Sequence, residues 1–496
     1  MNICLLPLDS RPCNYVFIRE LAEAVRVNIS MPPKKIMDYF TEPSKTEDLK
    51  AWLEKNGDFA DCIILSVDQF LYGGLLASRR QGKTQEQIED DFLWLEHFKA
   101  KHPRIKILAF SVLMRTTIGT LREENKIWWE AVAEYSKKKY AELTFQRKED
   151  IEAVKNLEKC IPFDVLNEFL CVRQRNHNVN CRCIFLTKTV FDKLIIVQED
   201  CCAESLHIPE KQILMRMVCD EHLESKVFFH NGADEAGMEL TSCAVAENKI
   251  KTTDVQLCFL FDNRNFTAKY EDIPFYENLK DHLRLLNIRE VKNCEKILCI
   301  LPPKTRQGDY CPVREDSGSY RRDDYEVMAD IVCKHIRAKK KVYLLDLAYA
   351  NGGDFSFMSI LMQKCRWSTL YGYAAWNTAG NALGTVLTQI ILSDGVNGRL
   401  NRRFTAERLL DDLFYQAIVR EKVSKKLQRA GQDVWALKNI KEAAILLKQT
   451  VREEKEVLKS IFGKKIPDFK ITFPWPRTFE AEILVNTEVK KDEKRI

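Results

Sequence analysis

Short apolar runs recur along the chain, and each closes in a polar cluster before a helical pattern begins. Asn2 to Leu8 is the first run, ending in Asp9-Ser10-Arg11-Pro12-Cys13-Asn14. A helix is predicted from Tyr15 to Val25, with Asn14 as its N-cap. A weak strand signal lies within Val27 to Met37, and a helix over Lys45 to Lys55 leads to the run Asp61 to Val67. That run ends in Asp68, Tyr72, Gly73 and Gly74, followed by Ser78-Arg79-Arg80. A helix over Gln85 to Lys101 precedes the run Ile105 to Leu113, which ends at Arg115. From about 121 to 192 the pattern is helical and highly charged, which predicts a helical insertion. Further runs follow at Lys193 to Val197, Val227 to Phe229, Val255 to Phe261, Lys296 to Leu301, Lys341 to Leu345 and Leu370 to Ala375.

Continuous apolar runs alternating with helices mean a parallel sheet covered on both faces. The fold class is therefore α/β. The number of runs fits a (β/α) barrel-like parallel sheet, irregular in outline, or two doubly wound α/β domains split near residue 250. Acids and aromatics recur at strand ends along the whole chain, which favours the barrel. From Asn401 onward the pattern is helical, with Leu409, Leu410, Leu413, Phe414 and Ile418 on one face. The expected domains are a barrel-like catalytic domain over 1–400, with the insertion near 121–192, and a helical C-terminal region over 401–496. No internal sequence repeat and no low-complexity linker is present.

Composition narrows the partners. The chain has 496 residues, 45% hydrophobic and 30% charged, with a net charge of +5. The basic residues are interspersed with acids, which argues against nucleic acid as a partner. No run is long enough to span a membrane. The first residues lack the basic and apolar regions of a signal peptide. The seventeen cysteines then read as reduced thiols of a cytoplasmic protein. Cys181-Arg182-Cys183 and Cys201-Cys202 are the closest groupings, and neither has zinc-site spacing.

The chemistry at the strand ends is that of carboxylates, arginines, amides and aromatics. Lys226 to Gly237 is the central stretch: the run Val227-Phe228-Phe229 turns at Gly232 into Asp234-Glu235. Adjacent carboxylates at the end of a buried strand are placed for acid and base work, because strand C-termini feed one crevice. Asp9, Arg11, Asp68, Tyr72, Arg79, Asn231, Asp346, Asn351, Asp354, Trp376 and Asn377 join them as candidate substrate-binding residues. Tyr72-Gly73-Gly74 suits a backbone passing close to a ligand, and Gly352-Gly353 beside two acids reads as a tight turn or as a wrap around a ligand. Trp376 offers an aromatic face beside amides, a mixture suited to the flat C–H faces and hydroxyl rims of sugars. The P-loop pattern fails at Ala77, and no GxGxxG, GxSxG or HExxH is present.

Five stretches carry a family resemblance: LPLDSRPCN from Leu6, DQFLYGGLLASR from Asp68, GADE from Gly232, ANGGD from Ala350 and GYAAWNTAGNALGT from Gly372. Together they resemble a bacterial family catalogued as domain of unknown function 4127, over the chain from its start to about residue 400. That resemblance implies membership and no particular activity. A local similarity to hexosaminidases rests on Asp234-Glu235. It implies an acetamido-orienting role for Asp234 and a general-acid role for Glu235, although Ala233 stands where that pattern has glycine.

The function expected from the sequence is a glycoside hydrolase-like enzyme acting on a carbohydrate, amino sugars included, with a small molecule or a carbohydrate as its partner. Glu235 would be the acid and Asp234 the stabiliser or orienter, with no metal and no cofactor. The first alternative is a divalent-metal hydrolase with Mg²⁺ or Mn²⁺ on Asp9, Asp68, Asp234, Asp346 and Asp354. The second is a binding protein without turnover.

Overall fold

The computed structural model describes residues 1–119, 123–249, 252–310, 314–315, 318, 320–393 and 398–486. The chain divides into two compact units. The first comprises 1–253, 264–289 and 378–392, and the second 254–263, 290–377 and 393–496.

The first unit is built on six strands: β1 (Asn2–Leu6), β2 (Asn28–Ser30), β3 (Cys62–Ser66), β4 (Lys106–Leu113), β5 (Lys193–Gln198) and β6 (Val227–Asn231). Their order is β2-β1-β3-β4-β5-β6, and every pair is parallel. The register sets Ile3 against Cys62 and Leu65 against Ala109. Every residue of β3 is buried, as a strand covered on both faces requires. Between β4 and β5 the chain forms the helices Trp129–Phe145, Lys148–Cys160 and Phe163–Leu186. Val132, Tyr135, Val154, Phe169 and Val172 give these helices a core of their own.

The second sheet has β7 (Thr253–Phe259), β8 (Ile288–Glu290), β9 (Lys296–Leu301), β11 (Lys341–Asp346) and β13 (Leu370–Ala374). Two short pairs accompany it, β10 (Gly308–Asp309) with β12 (Tyr349–Ala350), and antiparallel β14 (Phe469–Thr472) with β15 (Glu482–Val485). The order is β13-β11-β9-β7-β8. Counted within its own sheet, that is 2-1-3-4-5, the order with which the first sheet also begins. Ligands in such sheets sit where the order reverses, beyond the strand C-termini. In the first unit that place lies between β1 and β3.

The α/β class with parallel sheets holds. Of the two arrangements open to the sequence, two separate open sheets are found and not one closed barrel. The boundary expected at residue 400 does not coincide with the division of the chain. Leu409, Leu410, Leu413 and Phe414 pack into the same core as Leu344, Phe357 and Tyr373, so the last hundred or so residues belong with β11 and β13. They also contain β14 and β15 beside their helices. Among the described residues, no helix is long and apolar enough to cross a membrane.

Candidate metal centre

The turn after β1 places Asp9 and Arg11 immediately before the helix Pro12–Ala24, which starts on proline, a residue suited to a first helical position. Arg11 Nε and Nη2 donate to Asp9 Oδ2 at 2.9 and 2.6 Å. Its Nη1 and Nη2 donate to Asp234 at 3.1 and 2.5 Å. Asn14 Nδ2 donates to both acids, at 3.0 and 3.2 Å. One guanidinium is thus clamped between two buried carboxylates, one following β1 and one following β6. Burial pushes the Asp234 carboxyl up, and Arg11 pulls it back. Asp38, from the segment after β2, is pushed well above the usual carboxylate range by burial and then by Asp9.

Behind Asp234 lies a second group that the strand-end reading reached only in part. Glu235 follows the turn at Gly232, whose φ is +101°. Four residues on, Glu239 occupies the first turn of the helix Ala236–Lys249, so both acids face one way. His230 comes from β6, and His282 from the helix Phe275–Leu285. His282 Nδ1 is 2.6 Å from Glu239 Oε1. His230 Nε2 is 3.0 Å from Glu239 Oε2, and its Nδ1 is 3.6 Å from Glu235 Oε1. All four side chains are fully enclosed. One ligand atom from each of the four lies within 4.8 Å of all the others.

The hydrogen bonding around this group is uneven. Both oxygens of Glu235 have no hydrogen-bond partner, nor have His230 Nε2 and Glu239 Oε2 beyond their own 3.0 Å ion-pair approach. The remaining nitrogens, His230 Nδ1 and His282 Nε2, each lie 3.2 Å from the Asn231 carbonyl oxygen. An imidazole that donates one N–H to a backbone carbonyl turns its other nitrogen toward a ligand site, the usual arrangement beside a bound metal. Burial would raise Glu239, but the two imidazoles hold it down to about 2. Burial pushes Glu235 well above its ordinary value, and it pushes neighbouring Glu271 up to about 7.

Glycines close the space. A methyl group on Gly384 would overlap Glu235 and stand 3.1 Å from Glu239 Oε1. Ala233 N is held by Asn381 Oδ1 at 3.2 Å, and Gly380 N by Glu271 at 2.6 Å. The Gly380-Asn381 stretch, an unassigned part of the sequence motif after Trp376, therefore belongs to this centre.

The other sequence candidates of the first unit serve its loops. Asp68 Oδ2 accepts from Val112 N at 2.9 Å, joining the β3 end to β4, and burial lifts its carboxyl to about 6. The Arg175 guanidinium lies 4.2 Å from the centre of the Tyr72 ring. Arg79 pairs with Glu199. Asn231 supplies the carbonyl that orients both histidines.

Asp346, Asn351, Asp354, Trp376 and Asn377 belong to the second unit. Asp346 accepts from Asp354 N at 2.6 Å and from Tyr373 at 3.3 Å. Asp354 caps the helix Phe355–Lys364 through Ser356 N and Phe357 N, and receives Tyr325 Oη at 2.5 Å. Asn351 Nδ2 donates to Asp309 at 3.1 Å, and its backbone N bonds Asn377 O at 2.8 Å. The Trp376 ring packs 5.7 Å from Phe479. Asp412, from the C-terminal part, accepts from Ala375 N at 2.9 Å. These acids organise loops in their own unit, so the sequence candidates fall on two units, Asp9, Arg11, Asp68, Tyr72, Arg79, Asn231, Asp234 and Glu235 on the first and the others on the second.

His230, His282, Glu239, Asp38 and Glu271 are not among the sequence candidates. The four-residue spacing of Glu235 and Glu239 is a usable signal, because it sets a carboxylate just before the helix above one in its first turn. Nothing local marks His282, which reads as one more residue of an amphipathic helix. No curated protein sequence and no solved structure matches the chain. Residues 3–484 do match the family described as protein of unknown function (DUF4127), and with nearly its whole length covered the chain belongs to that family.

Proposed function

We propose that the chain is a divalent-metal-dependent hydrolase, with the ion held by His230, Glu235, Glu239 and His282. The observation that supports this most is Glu235: a fully enclosed carboxylate with both oxygens unpartnered, in reach of three further ligand groups. A buried polar atom without a partner costs about 1–3 kcal/mol, and a cation would satisfy four such atoms together. Two imidazoles with two carboxylates suit Zn²⁺, Mn²⁺ or Fe²⁺ better than Mg²⁺. When bound, such an ion supplies Lewis acidity and can lower the pKa of water to about 7.

The chain's own groups have distinct parts in this reading. Asn231 O fixes the imidazole orientations. Arg11, held by Asp9 and Asn14, positions Asp234, whose side chain retains 8% exposure. Asp234, next to Glu235 in the chain, is the carboxylate that this reading assigns to accept a proton from attacking water. The glycosidase reading asks Glu235 itself to reach a leaving-group oxygen. Its complete enclosure favours the ligand role instead.

The test is metal content and turnover on one sample. The purified full chain should retain a transition-metal ion through dialysis, and it should hydrolyse some member of a panel of aryl esters, phosphoesters, amides and glycosides. A chelator should abolish that activity and the ion should restore it. Hydrolysis that persists in a metal-free sample would overturn the proposal.

A further inference from the structure

A second group of ligand atoms lies in the first unit, outside the centre just described. Cys201 sits in the loop after β5, His207 opens the helix His207–Asp220, and Asp272 precedes the helix Phe275–Leu285. One ligand atom from each lies within 4.8 Å of the other two. The His207 and Asp272 side chains are 0% and 1% exposed, and Cys201 is buried.

Their hydrogen bonds leave gaps. His207 Nε2 is 3.2 Å from Asp272 Oδ2, and Lys211 Nζ reaches the same oxygen at 3.2 Å. Cys201 Sγ makes a long contact, 3.7 Å, to the Tyr270 carbonyl. His207 Nδ1 and Asp272 Oδ1 are buried and have no partner. Polar atoms in such surroundings are seldom left unpaired. Two unpaired atoms beside a thiol, brought together from the neighbouring Cys201 and His207 and from Asp272, 65 positions beyond His207, form a donor set and not a loose end of the core.

We propose that Cys201, His207 and Asp272 form a second metal site, suited to zinc. A thiolate, an imidazole and a carboxylate are zinc donors, and the thiolate disfavours magnesium or calcium. Binding releases the Cys201 thiol proton to solvent. Three protein ligands leave a fourth position for water. Lys211 stays on Asp272 Oδ2, while Oδ1 faces the ion. The site ties the β5 loop to the loop that enters the helix carrying His282, so its role is to hold that helix in place.

Cobalt(II) tests this directly, because a thiolate ligand gives it an intense near-ultraviolet charge-transfer band that imidazole and carboxylate ligands do not give. The chelator-treated full chain is titrated with Co²⁺. The band should appear in the unaltered protein, disappear on adding Zn²⁺, be absent in Cys201→Ser, and persist in Glu239→Gln. Persistence in Glu239→Gln separates this site from the proposed hydrolytic centre, whose failure would leave the band unchanged. Absence of the band in the folded unaltered protein, or its survival in Cys201→Ser, would overturn the proposal. Should circular dichroism show Cys201→Ser unfolded, His207→Gln is read instead. A loss of about tenfold or more in Co²⁺ affinity, the scale of a lost ligand contact, supports the site, and unchanged affinity overturns it.

Discussion

In the first unit Asp234 and Glu235 follow β6, and in the second Asp346 closes β11. Both places are buried strand ends in sheets that share one strand order. In the second unit the acids are filled: Asp346 accepts from Asp354 N, Ala348 N and Tyr373 Oη, and Asp354 caps a helix. In the first unit Asp234 is filled by Arg11, but Glu235 is not filled at all. An acid at a strand end is therefore a weak sign of chemistry. Unsatisfied donors and acceptors that converge are the stronger one.

Substitution should separate the two regions. The largest effect is expected from His282→Ala, which removes a proposed ligand and strands Glu239. Metal affinity should fall by about 10²-fold or more, and hydrolysis with it. Elemental analysis of dialysed protein measures the first, and a circular dichroism spectrum confirms that the fold survives. Full metal occupancy in a folded His282→Ala protein would remove the basis of the contrast.

Gly384→Ala comes next. Its methyl group would displace Glu235, and overpacking of this kind costs about 1–3 kcal/mol. Denaturant unfolding should show that loss together with weakened metal retention. Asp354→Ala should cost a similar or smaller amount, since a lost N-cap is worth about 1 kcal/mol and Tyr325 loses its acceptor. Here the metal content should not change, and a drop in it would show that the two regions are not independent.

The smallest effect concerns pH. Burial lifts Asp346 to about 8, with Asp354 adding to the shift, and burial lifts Asp412 to about 7. A carboxyl raised on folding stabilises most below its unfolded value near 3.8, and that contribution is lost as pH rises through its folded value. The thermal midpoint of the protein should thus fall between about pH 5 and 8.5. A flat profile would mean that the hydrogen bonds to these acids, and not burial, set their protonation.

The buried strands were legible because burial on both faces leaves a continuous apolar run. Ile63-Ile64-Leu65 and Leu194 to Val197 are fully buried, and each was read correctly. Short edge elements were not legible. β8 has three residues, two of them exposed, and too few apolar contacts to mark it. The Asp234-Glu235 pair was visible because a glycine turn ended the strand just before it. Its partner His282 was not, since it lies 43 positions from Glu239 and meets it through packing. Cys201 and His207 are near neighbours in the chain, but Asp272 lies 65 positions from His207, so no spacing rule could complete that group. The order shared by the two sheets left no repeat in the sequence, because strand order depends on connections and not on residue identity.

The helix Ala379–Leu392 returns to the first unit after β13, and it brings Gly380, Asn381 and Gly384 against the turn that carries Glu235. During synthesis the first sheet can assemble as soon as β6 has left the ribosome. Its centre stays open until this helix emerges, nearly 150 residues later. Nascent chains arrested before residue 378 should accordingly form the sheet but not enclose Glu235, which makes completion of the centre a late event in the making of the protein.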